Sequence, residues 1–164
     1  MNIHLRRSIV ASSILAIATF AIAYAQQPKT DEQMNQRGDH IMGFDHTKTT
    51  HHFLLQAAGG SIEVTANSSD DVESSEQIRM HLRHIARMFA EGNFKAPMLI
   101  HDQTPAGVPV MQQLKSEIEY NFEEIDRGAA VRISTKNPTA LKAIHDFLRF
   151  QIKEHKTGDP LNVN

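Results

Sequence analysis

The sequence predicts an α+β domain of two layers: a four-stranded antiparallel sheet with two helices on one face. Three observations carry that prediction. Apolar residues alternate with period 2 in two pairs of short runs, and glycine-bearing turns separate the members of each pair. After each pair the apolar period lengthens to that of a helix. The resulting ββα unit occurs twice, which implies approximate twofold symmetry, since a lone two-stranded hairpin is not stable and two such units complete each other.

The first unit spans residues 49–92. From Thr49 to Gln56, His51, Phe53 and Leu55 fall on one face of a strand, and His52 and Leu54 on the other. Ala57-Ala58-Gly59-Gly60 turns the chain, and Ile62, Val64 and Ala66 alternate in the return strand. The Ser- and Asp-rich stretch from Ser68 to Ser75 suits a helix N-cap. Ile78, Leu82, Ile85 and Phe89 then share an arc of roughly 60° on a helix that Gly92 stops.

The second unit spans residues 118–158. Ile118, Tyr120 and Phe122 alternate, Asp126-Arg127-Gly128 turns the chain, and Val131, Ile133 and Thr135 alternate back. Asn137-Pro138 places a capping residue before a proline at the first helical position. Leu141, Ile144, Leu148 and Ile152 form the second helical stripe, ending near Gly158 and Pro160. Phe147 and Phe150 fall off that stripe, which suggests either an aromatic surface for a homodimer or protein partner, or contact with neighbouring segments.

Between the units, residues 93–117 form an insert. Pro97-Met98-Leu99-Ile100-His101 reads as an extended stretch, and Pro105, Gly107 and Pro109 argue against regular structure after it. A short helix is expected within Met111 to Ile118. Ahead of the domain, which covers residues 49–160, residues 26–48 are polar and without sustained period, and read as a flexible arm.

The first 25 residues read as a secretory signal. Arg6 and Arg7 precede an apolar run from Ile9 to Ile22, and Ala23-Tyr24-Ala25 supplies the small-x-small cleavage pattern. The run is short for a permanent membrane span, so no stable anchor is expected after cleavage. An exported, periplasmic or secreted protein is therefore expected.

The chain has 164 residues, with 17 basic and 19 acidic side chains, ten histidines and no cysteine. That balance offers no electrostatic footprint for nucleic acid. Without cysteine there are no disulfides, thiolate zinc sites, iron–sulfur clusters or thiol nucleophile. Nor does the sequence contain a glycine-rich phosphate loop or a Gly-x-Ser-x-Gly elbow, so the case for an enzyme is thin. If catalysis occurs, a metal with an open position is its best agent.

Histidine is the remaining chemistry. His81, His84 and Met88 follow at i, i+3 and i+7, a spacing that brings side-chain tips together along one strip. Two imidazoles and a thioether suit copper or zinc, the thioether favouring copper. His52 and His101 are the further expected donors, with His51, His145 and His155 as secondary candidates. The leading expectation is a metal-binding protein that buffers, delivers or senses copper or zinc. Its alternative is an α+β interaction or small-ligand module without metal, whose histidines are structural or pH-responsive.

The runs Thr49-Thr50-His51-His52-Phe53, Gln77 to Ile85 and Ala143 to Asp159 resemble those of a group of small exported bacterial proteins of unassigned function. Some of that group carry an aspartate carbamoyltransferase label. This sequence argues against the label. It lacks the Ser-Thr-Arg-Thr phosphate motif of those enzymes, has only Ser134-Thr135-Lys136-Asn137 in its place, and is too short for their two α/β domains.

Overall fold

The order of elements in the computed structural model, which describes residues 31–163, is α1 (Asp31–Met42), β1 (Thr49–Gln56), β2 (Gly59–Ala66), α2 (Val72–Ala90), α3 (Lys95–His101), α4 (Val108–Gln113), β3 (Ile118–Ile125), β4 (Gly128–Thr135) and α5 (Pro138–His155). The signal segment at 1–25 and the start of the arm lie outside the described residues.

The four strands form one antiparallel sheet in the order β1-β2-β4-β3. Pairing β2 with β4 at the centre is what a twofold relation between two ββα units requires. The register aligns Phe53, Ile62, Val131 and Phe122 in one row across all four strands. Their side chains share the face covered by helices, because alternate residues of a strand point the same way. A neighbouring row consists of His51, Val64, Ala129 and Glu124, so a histidine enters the helix-covered face at the start of β1.

Each helix lies over the strands of the other unit. α2 packs mainly against β3 and β4, whereas α5 packs mainly against β1. The caps are those expected: Asp71 accepts from Ser74 N at 3.0 Å, and Asn137 accepts from Thr139 N and Ala140 N at 2.8 and 3.1 Å. The crossing carries the C-terminal end of α5 onto the start of β1.

Three expectations from sequence are corrected. Residues 31–42, expected to be part of a flexible arm, are helical. Arg37 Nε donates to Ile100 O at 2.9 Å, Lys156 pairs with Asp31, and Phe44 is buried in the core. Anchoring at both ends of α1 supplies what its polar composition does not. In the insert, Pro97 sits in the first turn of α3 and Pro109 in the first turn of α4, where a proline removes no intrahelical hydrogen bond. The stretch read as extended, and the proline-rich stretch after it, are therefore short helices.

Finally, the buried face of α5 is wider than its apolar stripe. Ala140, Ala143, Phe147 and Gln151 are buried as well as Ile144, Leu148 and Ile152, because α4 covers a second flank. Phe147 is 1% exposed and meets Phe94 of the insert edge-on at 5.9 Å, so it forms no surface patch. Phe150 likewise packs edge-on against His101.

Candidate functional site

The space between α2, α5 and the β1-β2 edge is flanked by α3 and the last residue of α1. It contains a cavity of about 60 Å³. Most of its wall is apolar, including Phe53, Ile62, Leu82, Ile85 and Phe147. Four histidines interrupt that wall: His51 from β1, His81 from α2, His101 from α3 and His155 from α5. Met42 and Gln151 also reach it.

Three of the four rings form a chain of contacts. His51 and His155 stack with centroids 5.7 Å apart, and His101 meets His155 edge-on at 5.0 Å. Phe44 bridges the other flank, 6.0 Å from His51 and 5.7 Å from His81.

Among the described residues, only His101 has a hydrogen-bonded ring nitrogen at this cavity. Its Nε2 lies 2.9 Å from Gln151 Oε1, and because that oxygen can only accept, Nε2 is the protonated nitrogen. Among the described residues, no hydrogen bond holds the rings of His51, His81 or His155, and His51 Nε2 is buried without a partner. The amide nitrogen of Gln151, a residue only 3% exposed, is also without a partner. Buried polar atoms left unpaired cost free energy, and two of them, His51 Nε2 and Gln151 Nε2, belong to residues that line this cavity.

Electrostatics keep these rings neutral. Burial pushes His51 down to about 4, and neighbouring His46 and His52 add to the effect. Burial likewise lowers His81 to about 4, with His51 and His84 contributing. His155 falls to about 3 through burial and the proximity of His51 and His101. For His101, burial outweighs the opposing pull of Gln151 and Glu154. Neutral imidazoles present lone pairs, the form in which histidine ligates a metal.

The sequence-nominated residues divide on this geometry. His81 and His101 line the cavity, as do the secondary candidates His51 and His155. His84 is exposed, one helical turn from His81. His52 points to the opposite face of β1, where its Nδ1 lies 2.8 Å from Asp159 Oδ1. His145 Nε2 sits 3.0 Å from each of the carbonyl oxygens of Gln56 and Gly59, at the β1-β2 turn. Met88 packs against the core away from the cavity wall. Gln151 and Met42 were not nominated. Gln151 had a usable signal, since it lies one turn before His155 on the same helix face.

The cavity rings do not yet converge on one point. Among the described residues, the only three donors whose ligand atoms all lie within 4.8 Å of one another are Asp39, Asp45 and His46. Those groups have local structural duties. Asp39 accepts from His46 N at 2.8 Å and holds its Nδ1 at 2.9 Å, and Asp45 caps the following 3-10 turn through Thr47 N at 2.8 Å. For an ion to be shared in the cavity, the imidazoles must turn toward it. No family model matches this chain, and no match was found among curated proteins or solved structures.

Proposed function

We propose that this is an exported metal-binding protein that takes copper or zinc in the histidine cavity, to buffer, deliver or sense it. One observation carries the reading: His51, His81 and His155 come from three different elements into one largely apolar cavity, their rings without hydrogen-bond partners among the described residues, and His101 stands beside them. Imidazole nitrogen suits both metals, and a dry wall around such donors is the usual companion of a protein metal site. The N-terminal segment, with its charged start, apolar run and Ala-x-Ala end, supports export.

A non-metal reading draws on the parallel stack of His51 on His155, which is the geometry of two neutral rings held apart from protons and ions alike. In that case the cavity is a pH-responsive element of an interaction module. Equilibrium titration separates the two. The full chain, expressed with its own N-terminal segment and purified untagged, is titrated with Cu and Zn against competing chelators. Binding of one equivalent tighter than about 1 μM is expected, with a loss of at least about 100-fold in His51→Ala/His155→Ala. His84→Ala and His145→Ala should bind as wild type does. Absence of binding tighter than micromolar removes the metal reading and leaves the module.

A further inference from the structure

We infer that the ion is copper(I), and that it reaches the histidine cavity through a methionine-bearing vestibule beneath α1. This rests on the metal reading above and goes beyond it by naming the ion and its path. The vestibule is a second cavity of about 290 Å³, and Met42, His51, Ile100 and His155 line both it and the histidine cavity. His51 and His155 therefore stand at the threshold between the two.

α1 supplies the vestibule's soft donors. Met34, Gly38 and Met42 follow at i, i+4 and i+8, which puts them on one helix face, and all three line the vestibule. A Cβ at Gly38 would come within 3.2 Å of Met42 Cε, so glycine leaves that thioether its room. His46, whose Nδ1 is held by Asp39, also lines it. Thioether and imidazole together select copper(I) over hard cations.

Charge gives an independent reason. Among the described residues no carboxylate lines either chamber; those that meet their histidines are Asp39, 2.9 Å from His46 Nδ1, and Glu154, 3.6 Å from His101 Nδ1. Placing an ion in a low-dielectric cavity costs an energy that grows with the square of its charge, so a divalent cation costs about four times as much as a monovalent one of equal size. Walls of methionine and histidine, with at most these two carboxylates behind them, thus favour a monocation. Copper(I) also accepts two or three ligands, so it needs fewer of the four rings to turn inward than tetrahedral zinc does. Uptake is ligand exchange alone: each incoming nitrogen or sulfur replaces a carrier ligand, and no electron moves.

The test is anaerobic titration of the full chain with Cu(I), Ag(I) as a redox-inert analogue, and Zn(II), each against a competing chelator. Wild type should bind Cu(I) at least about 100-fold tighter than Zn(II). Met42→Leu, which preserves volume, should weaken Cu(I) and Ag(I) by about tenfold while leaving Zn(II) within twofold. Met34→Leu should slow Cu(I) uptake from the chelator several-fold, its thermal melt matching that of wild type. Zinc binding as tight as copper(I), or Met42→Leu without effect on Cu(I), overturns the inference and leaves a metal site standing. If neither metal binds tighter than micromolar, the inference and the metal reading fall together.

Discussion

The imidazoles of His51 and His155 lie within 8° of parallel, at the junction where the end of α5 crosses the start of β1. Both are neutral at pH 7, with values of about 4 and about 3, against about 6.5 for a free histidine. The unfolded chain therefore binds more protons than the folded one across this interval. Stability is full above about pH 6.5 and falls as the pH drops toward 4 and 3. After allowance for partial solvent access, each ring should account for on the order of 2 kcal/mol by pH 4. Urea unfolding at pH 7.5 and pH 5 should show this slope, and His51→Phe/His155→Phe should flatten it. An equal slope in the double variant would place the acid sensitivity elsewhere.

Asp159 fastens the C-terminal tail to the sheet's edge. Its Oδ2 accepts from Phe53 N at 2.9 Å and from Thr157 Oγ1 at 2.6 Å, while Oδ1 meets His52 Nδ1 at 2.8 Å. Burial raises the carboxyl, but these hydrogen bonds outweigh it and the net shift is downward. The carboxylate satisfies a backbone N–H of edge strand β1 and blunts an edge otherwise open to pairing. Asp159→Ala should cost about 1–3 kcal/mol in chemical denaturation and speed hydrogen exchange at the Phe53 amide. Slow exchange retained there would show that the tail does not protect the edge.

The hairpins and long helices were legible in the sequence because their signals are local: alternation, a turn, a cap, a stripe. The site depended on which strands each helix covers. His81 and His84 have ligand-like spacing, yet they stand about 70° and about 130° from the centre of the α2 stripe, and only the nearer one turns inward. His51 and His155 meet because α5 lies on the other unit's strand, a relation that no spacing encodes. The helices at Lys95–His101 and Val108–Gln113 were hidden by prolines that act as breakers in a helix interior but are harmless in a first turn. α1 was hidden because tertiary anchors, rather than its own apolar face, hold it.

Tyr120 carries, away from the cavity, the same kind of unpaired buried polar atom as His51. Its ring meets Phe89 edge-on at 5.9 Å, its hydroxyl is buried without a partner, and burial alone pushes its pKa upward. Removing an unpaired buried hydroxyl while keeping the ring relieves a desolvation cost. Tyr120→Phe should therefore leave stability unchanged or raise it by about 1 kcal/mol, read from the urea midpoint. A loss greater than about 1 kcal/mol would mean that the hydroxyl is satisfied in solution.

Gly107 couples the insert to α5, and two glycines of equal φ separate its steric role from its conformational one. Gly43 and Gly107 share a φ of +81°, but nothing lies within 4 Å of a Cβ at Gly43, whereas one at Gly107 would sit 2.0 Å from the Ala143 carbonyl oxygen. Gly43→Ala should cost only the left-handed backbone penalty, about 1–2 kcal/mol. Gly107→Ala adds a clash with backbone that cannot yield by rotating, so the insert must lift from α5, at a total of roughly 3–5 kcal/mol. Because the same insert carries Ala96, Pro97, Ile100 and His101 into the cavity wall, the damage should be felt there too. In heteronuclear NMR, the imidazole signals of His101 and His155 should shift in Gly107→Ala and hold still in Gly43→Ala. Equal costs for the two substitutions would show that α5 and the insert separate freely and that the cavity wall is not fixed from that side.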